Sequence, residues 1–291
     1  MITFVALPKP FIGHIGIIQR NAIQSWLALN PRPRVILFGN EEGVAEAAHE
    51  FGIDHAPTVE CNEFGTPMLP SVFTTAEQMS DDDWICYINC DIILASDFMP
   101  STEKVIRKMQ QCLVVGWCAN LDVRKPIDFS DPKWEQKMLS FMREKGTKRG
   151  NTSDYFVYRK GMYPYYPPLI LGRAYFDNWV IFEARRLKIT VVNATDTISA
   201  IHQNHFYTAV AGEDTGNHSG EEAHRNLDII GKKYYVYRPT EASHKLTKRG
   251  KLRVLWSGFL LVRPRFDRLR RCTWSPIKRR LASVKRRFIH K

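Results

Sequence analysis

Strand-like and helix-like apolar patterns alternate along the first 120 residues, and this alternation limits the fold more than any other feature of the sequence. Short apolar runs with the composition of buried strands lie at residues 3–7, 35–38 and 113–118. Apolar residues recur at helical spacing over residues 15–29, 44–51, 72–79 and 101–111. The pattern predicts an α/β fold, with a mostly parallel sheet flanked by helices.

A further apolar run, residues 84–94, carries a single carboxylate, Asp91. Such a run predicts a buried strand that brings Asp91 to the edge of the sheet, where α/β proteins bind nucleotides and cations. The alternative is an Asp that caps the turn into the next segment.

Beyond Asn120 the alternation becomes less regular. Helices are predicted at residues 134–143 and 178–187, strands at 155–158 and 190–192, and an extended aromatic loop at 163–168, where prolines exclude regular structure. Ser219 has capping-box spacing ahead of a helix that ends at Gly231.

The net charge of +12 is unevenly distributed. Residues 245–291 hold 17 Lys and Arg against Asp267 alone, which leaves 25 basic and 29 acidic residues, a net charge of −4, in residues 1–244. We therefore predict one α/β domain over residues 1–244 and a basic tail over 245–291.

Six cysteines without a C-x-x-C pair are typical of reduced thiols, which indicates a cytoplasmic location. The amino terminus has no basic segment or cleavage-type spacing, so we expect no signal peptide. The longest apolar stretch near the carboxyl end, residues 254–262, lies between Arg253 and Arg263 and is too short to span a membrane.

A carboxylate at a sheet edge suits a divalent cation, and histidines later in the chain are candidates to complete its ligands. We expect Asp91 to be the first ligand and His202 the second, because His202 directly follows the apolar pair Ala200 and Ile201. His205 and His244 remain candidates for the same role. Histidines three residues apart are also found in ordinary polar loops.

Asp177 opens a predicted helix, where the helix dipole favours its ionised form, and we expect it to act as a general base for an acceptor hydroxyl. The alternative is a helix N-cap. Arg173 and Trp179 would position a diphosphate and a sugar ring. Asp154 is expected to bind sugar hydroxyls, or else to be a turn residue.

The sequence resembles bacterial and plant proteins related to the GT-A-fold, family-2-like glycosyltransferases. The resemblance covers about residues 3–250 and depends on six segments in order: FGNEEGV, NEFGTP, YINCDIIL, DYFVYRKG, GRAYFDNW and AIHQNHFY. Two positions depart from the family pattern. Asn89 stands where the first Asp of a D-x-D motif is common, and Phe176 stands where Trp is usual.

The resemblance implies a GT-A fold and sugar transfer from a nucleotide-diphosphate donor to a hydroxyl of a glycan or lipid-linked glycan, with inversion and with Mn²⁺ or Mg²⁺. The predicted site has Asp177 as catalytic base, and Asp91 and His202 as cation ligands. Donor contacts are predicted for Pro8, Asn40, Glu41, Gly65, Asn89, Asp91 and Arg173. Acceptor contacts are predicted for Asp154, Asn178, Trp179 and His205.

The basic tail predicts attachment to the anionic inner face of a membrane, because a short apolar insert is flanked by cations. A disordered solubilising tail is the alternative. Two other functions compete with transfer: a non-catalytic nucleotide-sugar or glycan binding protein with a decayed metal site, and a nucleic-acid binder. The acidic body and the lack of a recognition motif disfavour specific nucleic-acid binding.

Overall fold

The computed structural model describes residues 1–148, 153–205, 220–231 and 238–255. In chain order, the strands are β1 (Ile2–Ala6), β2 (Arg34–Phe38), β3 (Asp54–Ala56), β4 (Trp84–Ile88), β5 (Ile92–Leu94), β6 (Cys112–Val115), β7 (Ala119–Leu121), β8 (Thr147–Lys148), β9 (Tyr155–Arg159), β10 (Thr190–Asn193), β11 (Ala200–Gln203), β12 (His244–Leu246) and β13 (Leu252–Val254). The helices are α1 (Gly13–Leu27), α2 (Val44–Phe51), α3 (Leu69–Met79), α4 (Phe98–Ile106), α5 (Trp134–Lys145), α6 (Phe176–Arg186) and α7 (Glu221–Ile230).

Nine strands form the central sheet, in the order β13-β12-β10-β6-β9-β4-β1-β2-β3. Seven of them run parallel, while β9 and β13 are antiparallel to their neighbours. Because β9 lies between β4 and β6 and runs the opposite way, the residues just before β9 lie beside those that follow β4 and β6. This insertion creates the polar edge described below.

Successive strand residues face opposite sides of the sheet, and each side is covered by helices. On β1, Phe4 and Ala6 pack in the core shared with α1, α2 and α4, whereas Val5 packs in the core shared with α3, α6 and α7. The strands are apolar on both faces because both faces are buried, as in other parallel sheets. The predicted fold class, a mostly parallel α/β sheet flanked by helices, is confirmed.

A second sheet, in the order β5-β11-β7-β8, lies beyond the ends of β4 and β6. Its centre pairs β11 with β5 antiparallel and with β7 parallel. One face packs against α5 through Ile93, Leu121, Met138 and Ile201. This small sheet carries the segment with the two candidate histidines to Asp91.

Several predicted bounds change. The helix predicted over residues 101–111 is α4, which ends at Ile106, and the N-cap of α6 is Tyr175, so Asp177 lies inside the first turn and is not the cap. The predicted boundary at residue 244 falls within the central sheet, because β12 and β13 extend that sheet to Val254. Ser219 lies outside the described residues, and so do residues 256–291 of the predicted tail. Within those residues, no helix has both the length and the apolar character needed to cross a membrane.

Candidate active site

Asp91 meets two histidines at the junction of the two sheets. It lies between β4 and β5, and its Oδ2 is 3.0 Å from Nε2 of His205 and 3.4 Å from Nε2 of His202. One ligand atom from each of the three residues falls within 4.8 Å of the others. All three side chains are at most 17% exposed. In the part of the chain that the structure describes, this is the group of His, Cys, Asp and Glu suited to a cation.

The charge state of Asp91 follows from these neighbours. Burial raises its pKa, but the hydrogen bond with His205 and the charges of His202 and His205 outweigh burial and hold the pKa well below its usual range. Asp91 is therefore ionised at neutral pH, as a cation ligand must be.

Gln203, between the two histidines, fixes the backbone of Asp91. Its backbone N–H donates to the carbonyl of Asp91 at 3.2 Å, and its side-chain Nε2 donates to the same carbonyl at 3.1 Å and to the carbonyl of Ile18 at 2.7 Å. Asn21 on α1 in turn donates to Oε1 of Gln203 at 3.0 Å. The sequence analysis did not identify this role, although a fully buried Gln flanked by two histidines is an unusual pattern.

A second carboxylate, that of Asp154, is hydrogen bonded to a residue close to Asp91 in the chain. Nδ2 of Asn89, the residue two before Asp91, donates to Oδ1 of Asp154 at 3.1 Å, and the backbone N–H of Asn89 donates to the carbonyl of Asp154 at 2.9 Å. Asp154 directly precedes β9 and is 2% exposed. Asn89 thus positions Asp154 at the sheet edge.

Asp177 faces the same edge from the first turn of α6. Its carboxylate accepts backbone N–H groups of Asn178 and Ser153, and the charge of Asp154 reaches it. Burial is the main cause that raises the pKa of Asp177 to about 6. The hydrogen bond from the Asn178 N–H lowers this pKa, and the charge of Asp154 raises it further. A carboxyl with a pKa near 6 suits a general base that works near neutral pH. The preceding Tyr175 has a left-handed backbone, with φ 82°, which turns the chain into α6 here.

Arg173 already forms hydrogen bonds to other side chains of the protein. Its Nε donates to Oε2 of Glu222 on α7 at 2.5 Å, and its Nη2 donates to the hydroxyl of Thr66 at 3.3 Å. Glu222 also accepts from Nδ2 of Asn62 at 2.7 Å. The predicted role of Arg173 in binding diphosphate therefore requires it to exchange or share these partners.

Asn226 on α7 holds the loop that leads into α6. It is fully buried, accepts the N–H of Ile170 at 2.8 Å, and donates to the carbonyls of Ile170 and Ala174 at 2.9 and 3.0 Å. An isolated Asn on the buried face of a helix was the sequence signal for these hydrogen bonds. They fix the residues just before Asp177.

Trp179, which the sequence predicts to position a sugar ring, has its ring buried in the core. Trp179 is 6% exposed and packs against Tyr163 and Tyr166, with ring centroids 5.5 and 6.4 Å apart. Asn178 is also buried, at 7% exposed. Helical register sends these two side chains inward, so neither offers an open face to a sugar ring.

The other predicted contacts lie on loops. Asn40 and Glu41 follow β2 and are exposed, Gly65 is exposed in the loop before α3, and Pro8 is buried after β1. Lys9, next to Pro8, was not predicted. The residue as a whole is exposed, but burial of its ammonium group lowers the pKa of Lys9. The charge of Asp91 opposes this shift, and the charge of Arg173 adds to it.

His244 is on β12, which is separated from β9 by β10 and β6. His244 is not in the cation group of the described residues. His202 and His205 are both in that group, so the structure brings together the two histidines that the sequence left as alternatives. Oδ1 of Asp91 and both ring nitrogens of His202 are buried and have no hydrogen-bond partner among the described residues. A carboxylate, two imidazoles and unsatisfied donor atoms fit a divalent cation.

No protein-family model matches the sequence, and no curated protein matches it either. The structure aligns with that of S. aureus TarS 1–349 in complex with UDP-GlcNAc, with a TM-score of 0.52 and 10% identity. The alignment covers 79% of this chain and 65% of that one, so the chain spans about 65% of the length of the TarS fragment. The similarity supports a shared GT-A-type fold, as the sequence predicts.

Two further structures are similar at TM-scores below 0.5, which adds nothing to the fold assignment. M. tuberculosis glucosyl-3-phosphoglycerate synthase has a TM-score of 0.44 and 11% identity, with 81% of each chain covered. The mannosyltransferase PcManGT from Pyrobaculum calidifontis, in complex with GDP-Man and Mn²⁺, has a TM-score of 0.43 and 12% identity, with 74% of this chain and 58% of that one covered.

Proposed function

We propose that the chain is a glycosyltransferase that moves a sugar from a nucleotide-diphosphate donor to a hydroxyl acceptor. The observation that carries the proposal is the combination, at one sheet edge, of the Asp91, His202 and His205 cluster with the carboxylates of Asp154 and Asp177. The GT-A-type fold, which TarS uses in a complex with UDP-GlcNAc, is consistent with it.

Asp91, His202 and His205 would hold the divalent cation, which when bound neutralises the charge that develops on a leaving diphosphate. Two imidazoles beside one carboxylate favour Mn²⁺ over Mg²⁺, because Mg²⁺ prefers oxygen ligands. Lys9 and Arg173 carry positive charge beside the same edge and suit the diphosphate oxygens. Asn40, Glu41 and Gly65 are proposed to contact the rest of the donor.

Asp177 would accept the proton of the acceptor hydroxyl as that oxygen attacks the sugar. Its raised pKa leaves it mostly ionised at pH 7 and still basic enough to bind the proton. Asp154, fixed by Asn89, lies close enough for its charge to act on Asp177 and would bind acceptor hydroxyls. A single displacement assisted by one base predicts inversion at the anomeric carbon.

Donor turnover tests the proposal. The full chain is incubated with a panel of UDP- and GDP-sugars and Mn²⁺, and released nucleoside diphosphate is measured. Turnover that disappears with a chelator and returns with Mn²⁺ is the expected result. Donor binding without any turnover, in the presence of glycan and lipid-linked acceptors, would instead support a non-catalytic binding protein.

We also propose that the basic tail attaches the chain to the inner face of an anionic membrane. Residues 256–291 carry 12 Lys and Arg against Asp267, and Trp256 and Trp274 suit the headgroup region. Each basic residue near such a surface contributes about 1 kcal/mol. A lipid-linked acceptor would then lie close to the site.

Sedimentation with vesicles tests the attachment. Because β13 ends at Val254, the comparison is between the full chain and a chain that ends at Leu255. We expect the full chain to pellet with anionic vesicles at low salt and not with neutral ones. Equal partitioning of the two chains would exclude a role for the tail.

A further inference from the structure

Asn120 lies beside His202 in the second sheet, and we infer that it positions His202 for the cation by accepting a hydrogen bond from Nδ1–H of the imidazole. The inference rests on the cation site of the proposed function and adds a residue that acts through His202, without touching the cation.

The register of the small sheet puts the two residues side by side. β7 and β11 are parallel, and Asn120 is paired directly with His202. Directly paired residues on adjacent strands project to the same face, with backbones about 4.8 Å apart. His202 therefore lies between Asp91, which leads into β5 on one side, and Asn120 on the other.

Both side chains have unmet hydrogen-bonding capacity. Oδ1 of Asn120 is buried without a hydrogen-bond partner, as are Nδ1 and Nε2 of His202, among the residues that the structure describes. Leaving a buried polar atom unpaired costs about 1–3 kcal/mol. A neutral imidazole has one donor and one acceptor nitrogen, and an amide oxygen is only an acceptor. The unpartnered oxygen of Asn120 is therefore complementary to His202 when Nδ1 of the imidazole is the donor.

Cation binding selects the same arrangement. Nε2 is the nitrogen that faces Asp91, at 3.4 Å from Oδ2. If Nε2 binds the cation, the imidazole proton must be on Nδ1, and histidine ligands in proteins nearly always donate that second N–H to a partner. Asn120 provides the acceptor on the paired strand. Loss of such a partner lowers metal affinity by roughly 10–100-fold in other proteins.

The first experiment measures Mn²⁺ affinity by electron paramagnetic resonance of free Mn²⁺, on the full chain without nucleotide. Asn120→Leu removes the acceptor at similar volume and should weaken binding by about 10–100-fold. Asn120→Asp keeps the acceptor and should retain wild-type affinity or exceed it. Thr102→Val is the matched control, because Thr102 on α4 also has a buried, unpartnered side-chain oxygen but is not in the cation group. Its Mn²⁺ affinity should be unchanged.

The second experiment reads the tautomer of His202 in the wild-type chain by ¹⁵N NMR of the imidazole with diamagnetic Zn²⁺ bound, and so does not depend on a variant that folds. Protonated Nδ1 with metal-bound Nε2 is expected, and the opposite tautomer would overturn the inference. Wild-type Mn²⁺ affinity in a folded Asn120→Leu variant would also overturn it, while leaving the cation site intact. If the wild-type chain itself bound no Mn²⁺, the cation site and this inference would both fail.

Discussion

Two groups of buried polar side chains border the candidate site, and they differ in how completely they are hydrogen bonded. In the cation cluster, Oδ1 of Asp91 and both nitrogens of His202 have no hydrogen-bond partner among the described residues. Around α7, Glu222 accepts from Arg173 and Asn62, and Asn226 makes three hydrogen bonds to the loop before α6. The polar atoms of the α7 group are thus paired within the protein, whereas the cation cluster keeps unpaired atoms that suit the cation we propose.

The scaffold also supports the segment that leads to Asp177. The scaffold holds residues 170–174, and the chain turns at Tyr175 directly into the helix that carries Asp177. Mutations in the cation cluster should therefore alter binding and turnover with little effect on folding, and mutations in the scaffold should first alter stability.

The largest effect is expected for Asp91→Asn. The substitution keeps the shape of the side chain but removes the charge that a divalent cation requires, so Mn²⁺ binding and turnover should fall by about 10³-fold or more. Calorimetric titration with Mn²⁺ and a donor assay measure the two losses. Asp122→Asn, at an exposed ion pair with Arg124, is the control and should leave both unchanged. Metal-dependent activity in a folded Asp91→Asn variant would remove Asp91 from the site.

Asp177→Asn should lower turnover by roughly 10²-fold, because an amide cannot accept the acceptor proton. Wild-type activity should rise with pH through an apparent pKa near 6, since only the ionised carboxyl acts as a base. The measurement is turnover from pH 4.5 to 8 in both proteins. A variant that retains wild-type turnover and the same pH profile would show that Asp177 is not the base.

Stability provides a second test of Asp177. Its pKa is about 6 in the folded chain and roughly 4 in an unfolded chain, so the folded state binds the proton more tightly. Ionisation therefore destabilises the fold as pH rises from about 4 to 6, and the cost persists at pH 7. Asp177→Asn removes this cost. In urea unfolding, the variant should equal or exceed the wild type at pH 7 and lose that advantage near pH 4.

Asn226→Ala tests the scaffold. It leaves the N–H and carbonyl of Ile170 and the carbonyl of Ala174 without their partner, which should lower the free energy of unfolding by about 2 kcal/mol. His224→Ala, at an exposed position of α7, is the matched control and should change it by less than about 0.5 kcal/mol. Intact Mn²⁺ affinity is expected in both. A loss of Mn²⁺ binding with unchanged stability in Asn226→Ala would contradict the division between scaffold and site.

Local patterns were sufficient to predict the fold class, and the reason is physical. Apolar periodicity in residues 3–118 directly reflects which faces of strands and helices are buried, and α2 begins and ends where the spacing and Gly52 indicate. The short strands β7 and β11 were not predicted, and β5 was predicted only as the end of one continuous strand over residues 84–94. Each has only three or four residues, and its extended form depends on neighbours distant in sequence.

The proximity of Asp91 and His202 was predictable, because the chemistry of each residue stands out locally. The contact between Asn89 and Asp154 was not, because it depends on β9 inserting antiparallel between β4 and β6. The burial of Trp179 was also beyond the sequence pattern, because an aromatic residue in the first turn of a helix can face the core or the solvent. Residues that act through long-range contacts, such as Gln203 and Asn226, required the tertiary structure.

The smallest effect is expected for Tyr155→Phe, which asks whether every unpartnered polar atom marks a ligand site. The hydroxyl of Tyr155 is buried without a hydrogen-bond partner among the described residues, yet the ring lies in the hydrophobic core with Phe98 and carries no cation-binding group. Removing a buried unpaired hydroxyl should leave stability unchanged or raise it by about 1 kcal/mol, with unchanged Mn²⁺ affinity.

Tyr163→Phe is the matched control, because the hydroxyl of Tyr163 donates to the carbonyl of Val180 at 2.9 Å, and its loss should cost about 1 kcal/mol. Chemical unfolding of the two variants decides the matter. If Tyr155→Phe were the more destabilised, its hydroxyl would have a partner such as ordered water, and lack of a protein partner would no longer separate the cation cluster from the rest of the core.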